Sequence, residues 1–172
     1  AGLKGFWMTY FASRAAPMGA VGAEAVTSTF FYFAPRRVER AVPDCWALCP
    51  PERALAARYH GVDRVMQRLY GDRITDPGFE RAAALLREAL EGASSLARPL
   101  YAGWAALDWP ELPHLALWHA CTLLREHRSG AHAIALAHAG LDGCEAVYSH
   151  VAADQAPHEW IGGEAGWTAA EV

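Results

Sequence analysis

The chain has 172 residues, of which 53% are of apolar types and 20% are charged, so it is too apolar for disorder and long enough for one core. Fifteen Gly and ten Pro form no repeat, which excludes collagen-like and low-complexity classes. A formal charge of −4 and a pI near 6.1 leave these residues without the broad basic footprint of a nucleic-acid binder.

The periodic segments, taken in order, read as helices. Phe6, Trp7, Tyr10, Phe11 and Arg14 fall on one stripe of a first helix, which Pro17 and Gly19 end. A second stretch runs from about Glu24 to Phe33; its β-branched and aromatic residues would suit a strand, but its length and neighbours favour helix. Pro35 opens a short helix carrying Arg36, Arg37 and Arg40, which stops near Pro43. Pro50-Pro51 restarts the chain into an amphipathic helix that ends at Tyr70, before Gly71. Asp76 as N-cap and Pro77 at N1 begin another that reaches about Glu91, and Ser94 caps the next, to about Ala106. A long helix then spans roughly Glu111 to Arg128, and Ser129-Gly130 breaks it. Two shorter helices follow, about Ala131 to Ala139 and Leu141 to Ala153.

Residues 154–165, with Pro157 and Gly162-Gly163, read as a polar linker. Thr168-Ala-Ala-Glu171 is a capping box, in which Thr at N-cap and Glu at N3 satisfy each other's backbone donors. With Ala1 at one end and this helix start at the other, the sequence reads as a piece of a longer protein. The expected fold is all-α, an irregular or orthogonal bundle of about seven to nine helices with no significant sheet, an estimate from the spacing of breaks.

Cysteines stand at 45, 49, 121 and 144; CxxxC is not a zinc or redox spacing, so buried free thiols are expected. No segment resembles a signal peptide, and no uncharged run approaches the ~18 apolar residues of a membrane span. A cytoplasmic protein without membrane contact is expected. No GxGxxG, Walker, GxSxG or HExxH motif occurs, and no cofactor is expected.

Polar chemistry concentrates between His114 and His132. At 100° per residue, His114, Trp118, Cys121 and Arg125 share one helix face, and His119, Thr122, Leu123 and Glu126 share the adjacent one. His119, Arg125, Glu126, His127 and His132 could line a pocket for a polar or anionic ligand. Equally, Glu126-His127-Arg128 could simply end a helix, where cations suit the dipole. A metal reading would use His119, Glu126, His127 and His132, but His119 and Glu126 lie two turns apart, ~10.5 Å, too far to chelate alone. Arg14 must pair or stack, because its charge cannot be removed. It either snorkels at the helix end or holds a ligand carboxylate among Trp7, Tyr10, Phe11, Trp104 and Trp118. The Arg36, Arg37 and Arg40 cluster is expected to be a solvated face.

Several segments together resemble one actinobacterial family, the SalK-like helix-turn-helix proteins. They are Gly5 through Gly19, Thr29 through Pro35, Leu124 through Arg128 with His132, and Gly166-Trp167-Thr168 with Glu171. The resemblance spans most of the chain and implies a transcriptional regulator longer at both ends. Residues 1–153 would then be a helical ligand-binding or dimerisation body, and residues 166–172 the start of a winged-helix-like domain. The sequence departs from the family pattern after Arg128, where Ser129-Gly130-Ala131 replaces an acidic glycine-rich turn.

The resulting expectation is a binding module rather than an enzyme. It would take a small polar, aromatic or carboxylate ligand and form a homodimer, with no nucleic acid through these residues and DNA contacted from a part beyond them. The alternative is a helical-bundle enzyme or metal protein built on His119, Glu126, His127 and His132.

Overall fold

The computed structural model describes residues 2–153, 161–168 and 170–171, with Val151 described in its backbone alone. Among these residues the structure is all-α, with nine α-helices and no strand. Residues 154–160, the first part of the expected linker including Pro157, lie outside the described residues, as do Ala169 of the capping box and Val172.

Helix α1 is Gly5–Ala15, and a 3-10 turn, Ala16–Met18, follows it where Pro17 cannot donate. Helix α2 is Ala23–Phe30, shorter than the expected span to Phe33. Phe31 stops it at φ 60°, ψ −47°, while Tyr32 N donates to Phe30 O at 2.7 Å. This is a positive-φ γ-turn, a strained conformation for a side-chain-bearing residue. The turn splits the aromatic run: Phe30 and Phe33 enter the core, and Phe31 and Tyr32 remain at a cavity wall. Helices α3 (Pro35–Glu39) and α4 (Asp44–Leu48) come next, and α4 was not expected from the pattern.

Helix α5 (Pro51–Tyr70) ends at Gly71, whose φ of 53° suits glycine. A 3-10 turn, Gly71–Thr75, leads to α6, Gly78–Ala89. The helix starts one residue later than expected, with Pro77 at the N-cap, and Asp76 Oδ1 just before it accepts from Gly78 N at 2.7 Å. Ser94 does not cap a helix; its Oγ accepts from Leu96 N within a turn, and α7 begins later, at Pro99–Ala105.

Helix α8 corrects the largest expectation. It runs unbroken through Pro113–His138, with Ser129 and Gly130 inside it. A Cβ on Gly130 would lie 2.7 Å from Arg98 Cγ, so glycine here serves close packing and not a break. Helix α9 is Gly143–Ala152, and a π-type turn, Ile161–Ala165, packs on it through Ile161, Ala165 and Val147.

The main core joins Phe11, Ala12 and Ala15 of α1 to Val26 and Phe30, with Val38, Val42 and Cys45, and closes on Leu100, Tyr101, Trp104 and Leu123. Helix α7 reaches the turn after α1 so closely that a Cβ on Gly103 would meet Pro17 O at 2.5 Å. Cys45, Cys49 and Cys144 are buried free thiols, whereas Cys121 is exposed. Burial pushes the Cys45 thiol up to about 11, which keeps it protonated and inert. No described helix is long and apolar enough to cross a membrane.

Candidate functional site

The centre of the site is an ion pair across the core. Arg14 lies at the end of an aromatic stripe and Glu126 on the buried face of α8; neither can be buried alone. Arg14 Nε donates to Glu126 Oε1 at 3.0 Å and Nη2 to Oε2 at 2.7 Å, a two-pronged pair between side chains 9% and 0% exposed. Nη1 donates to Tyr10 Oη at 2.7 Å, and the guanidinium lies 4.4 Å from the Phe30 ring centroid. Burial pulls the Arg14 pKa down, but Glu126 and Tyr10 outweigh it and leave it raised. Arg125, 46% exposed, adds Nη1 to Glu126 Oε1 at 3.1 Å. The carboxylate that Arg14 holds thus comes from the protein's own chain.

Beside this pair opens a cavity of about 500 Å³. One wall is a strip of α8 carrying Arg125, Arg128, Ser129 and His132, which helical spacing places on one face. The facing wall is Phe30, Phe31, Tyr32 and Phe33, with Tyr10 and Arg14 at the floor and His150 of α9 at the rim. Tyr32 Oη and His132 Nδ1 share a hydrogen bond of 2.5 Å across it. The His132 and His150 rings meet edge to face at 5.9 Å. Burial, then His150 and Arg128, lowers the His132 pKa, and burial raises that of Tyr32. Around neutral pH both groups are therefore uncharged. Three guanidiniums face or floor the cavity, and one carboxylate, that of Glu126, offsets them. Such a cavity favours a small anion with an aromatic or apolar body.

Of the residues singled out from sequence, Tyr10, Arg14, Arg125 and His132 meet at this cavity, with Glu126 behind them. Phe11 is core, stacked on Trp7 at 6.0 Å, and Trp7 carries the Arg37 guanidinium on its face at 4.7 Å. Trp118 and His119 belong to a separate aromatic nest, about two turns before Arg125 and Glu126 along α8. There His119 Nδ1 shares a 2.8 Å hydrogen bond with Tyr59 Oη, and Trp104, Trp109 and Tyr59 rings surround the imidazole. His119 Nε2 has no partner among the described residues, and burial takes its pKa down to about 4. His127 packs edge to face on Tyr101.

The four groups of the enzyme or metal alternative thus point to separate surroundings. His119 sits in the nest, Glu126 is held by two arginines, His127 faces Tyr101 and His132 faces Tyr32. Among the described residues no three His, Cys, Asp or Glu side chains gather as metal ligands would.

Sequence reasoning missed Phe30, Phe31, Tyr32, Phe33 and His150 as wall residues and gave Arg128 only a helix-end role. The aromatic run was visible, but the turn at Phe31 that aims it was not. The unbroken α8 was the second missing signal, because only continuity puts His132 in line with Arg125.

Of the three arginines expected on a solvated face, Arg40 is exposed, whereas Arg36 and Arg37 hold the chain's last described segment. Arg36 Nη1 donates to Glu171 Oε1 at 2.7 Å, and Arg36 Nη2 donates to Gly166 O. Arg37 Nη2 donates to Gly163 O at 2.6 Å. Trp167 Nε1 donates to Tyr32 O at 2.9 Å, so Tyr32 is gripped from both sides of the cavity wall. Thr168 N and Oγ1 both donate to Glu171 Oε2, at 2.8 and 2.6 Å, which is the backward reach expected of the capping-box Glu. Arg36 and Thr168 hold the Glu171 carboxyl down at about 2.

Compared with known proteins, residues 1–172 match the model of a helix-turn-helix family, and the chain therefore belongs to that family. No curated protein and no solved structure matches it.

Proposed function

We propose that this member of a helix-turn-helix family is a regulator whose helical body binds a small organic anion in the cavity between α8 and the Phe30–Phe33 wall. The observation that carries the reading is the strip Arg125, Arg128 and His132 facing aromatic rings across about 500 Å³. Arg14 and Glu126 neutralise each other, so they shape the floor, while Arg128 makes no ion pair among the described residues. Charge-assisted hydrogen bonds from a guanidinium pair suit a carboxylate in two-pronged fashion.

Tyr32 supplies the link to an output. An anion entering between Arg128 and His132 competes for the space of the Tyr32–His132 hydrogen bond, and the Tyr32 carbonyl holds Trp167. The resemblance to SalK-like proteins supports a DNA-reading winged-helix unit that starts near Gly166. The Thr168–Glu171 contact is that of a helix start, which agrees with this placement. Ligand binding would then shift the segment Gly166–Glu171 through one residue of the cavity wall.

Calorimetric titration with benzoate tests the reading, together with hydrogen exchange of the Trp167 and Thr168 amides. Saturable binding that Arg128→Ala abolishes, with altered exchange at those amides, supports it. Absence of saturable binding to benzoate and other short carboxylates would overturn it.

A further inference from the structure

The anion cavity has an apolar neighbour. A second cleft of about 310 Å³ lies on the other side of the Phe31 turn, lined by Pro99, Leu100 and Tyr101 of α7 and by Ile134 and Ala137 of α8. Thr29, Phe31, Ser129 and Ala133 line both spaces, so the two are separated by little more than the Phe31 residue. The charged groups are divided unevenly between them. Arg125, Arg128 and His132 face only the first; the second has Arg98 and Glu126 at its wall but is otherwise lined chiefly by aliphatic and aromatic carbon. Phe31, the partition, stands in a positive-φ γ-turn, a conformation that persists only when its surroundings impose it. Gly143 helps impose it: its Cα lies so close that a Cβ there would meet Phe31 O at 2.1 Å.

The geometry points to an amphipathic carboxylate as the ligand: a head held by Arg125 and Arg128, and an unbranched apolar tail that passes Phe31 into the cleft against Leu100, Tyr101 and Ile134. This deepens the proposed function and rests on it, because the head site is the same. The two spaces together hold roughly the volume of a drug-sized ligand. Glu126 offsets one of the three guanidiniums and two positive charges remain, so a single carboxylate head can be held by Arg125 and Arg128 together. The tail gains only from burial, so affinity rises with its length until the cleft is full.

A chain-length series separates this inference from the reading beneath it. Acetate, hexanoate and decanoate, below their micelle concentrations, are titrated calorimetrically into the protein beside benzoate and decanol. Affinity should rise on the order of tenfold for every two methylenes buried, and decanol should bind far more weakly than decanoate. Ala137→Trp, at an exposed position that lines only the second cleft, should cancel the gain from hexanoate to decanoate and leave benzoate binding unchanged. Ile134→Trp serves as a second block should the first variant melt early. If benzoate binds but affinity does not depend on chain length, or neither block alters it, the two-compartment ligand is wrong and the anion site stands. If neither benzoate nor any alkanoate binds, both fall.

Discussion

Glu126→Gln tests the buried ion pair most sharply. The substitution keeps the side chain's size and one carbonyl acceptor but removes the charge that faces Arg14. With N–O distances of 2.7 and 3.0 Å, the charge centres lie about 4 Å apart. At an effective dielectric near 20 their attraction is about 4 kcal/mol. Arg14 cannot escape by losing its proton, and its remaining support is the Tyr10 hydroxyl and the Phe30 ring. The expected loss of stability is therefore about 3–5 kcal/mol, the range for a broken buried pair. In a chain of this size it lowers Tm by roughly 6–20 °C. Urea unfolding at constant m measures it. Arg125→Ala is the internal control, since a half-exposed partner should cost less than about 1 kcal/mol. The double variant Arg14→Met with Glu126→Leu should recover most of the loss, because it removes both charges together. A cost for Glu126→Gln below about 1 kcal/mol, or a double variant as unstable as the single one, would refute the reasoning.

Three further outcomes follow from other parts of the molecule. His119 is held neutral with its pKa at about 4, against 6.5 for the free side chain, so unfolding takes up a proton below pH 6.5. Stability present above that pH should fall by about 1.4 kcal/mol per pH unit between 6.5 and 4, and His119→Phe should flatten this limb in urea titrations at several pH values. Gly103→Ala should destabilise by about 1–3 kcal/mol because its Cβ meets the rigid Pro17 carbonyl, whereas Gly130→Ala should cost less because the atom it meets belongs to the flexible Arg98 side chain; thermal melts of the pair decide. Glu171→Ala should leave Tm nearly unchanged but speed hydrogen exchange at Trp167 and Thr168, and in the parent the same release should appear only as pH falls below 4.5 toward 2, where the carboxyl takes its proton.

The sequence by itself determined the helices and most of their ends. Pro17, Pro35, Pro51 and Gly71 act through local backbone sterics, which need no distant partner to be legible. Ser129-Gly130 misled for the opposite reason. Glycine weakens a helix without forbidding it, and packing against Arg98 decided the outcome. The helical face of His119, Thr122, Leu123 and Glu126 was correct as a set, and all four are buried.

What the sequence could not supply was direction. Arg14 and Glu126 each stood out as a charge on an apolar face, and each required a partner, but 112 residues separate them and nothing local joins them. His119 and His132 looked equivalent, one among many imidazoles on one stretch. The tertiary structure sent the first into an aromatic nest and the second to a cavity wall, because they lie more than three turns apart along α8, one beside Tyr59 and Trp104 and the other beside Tyr32. Helix formation is a short-range property of the chain, whereas the pairing of buried charges is a property of which faces meet.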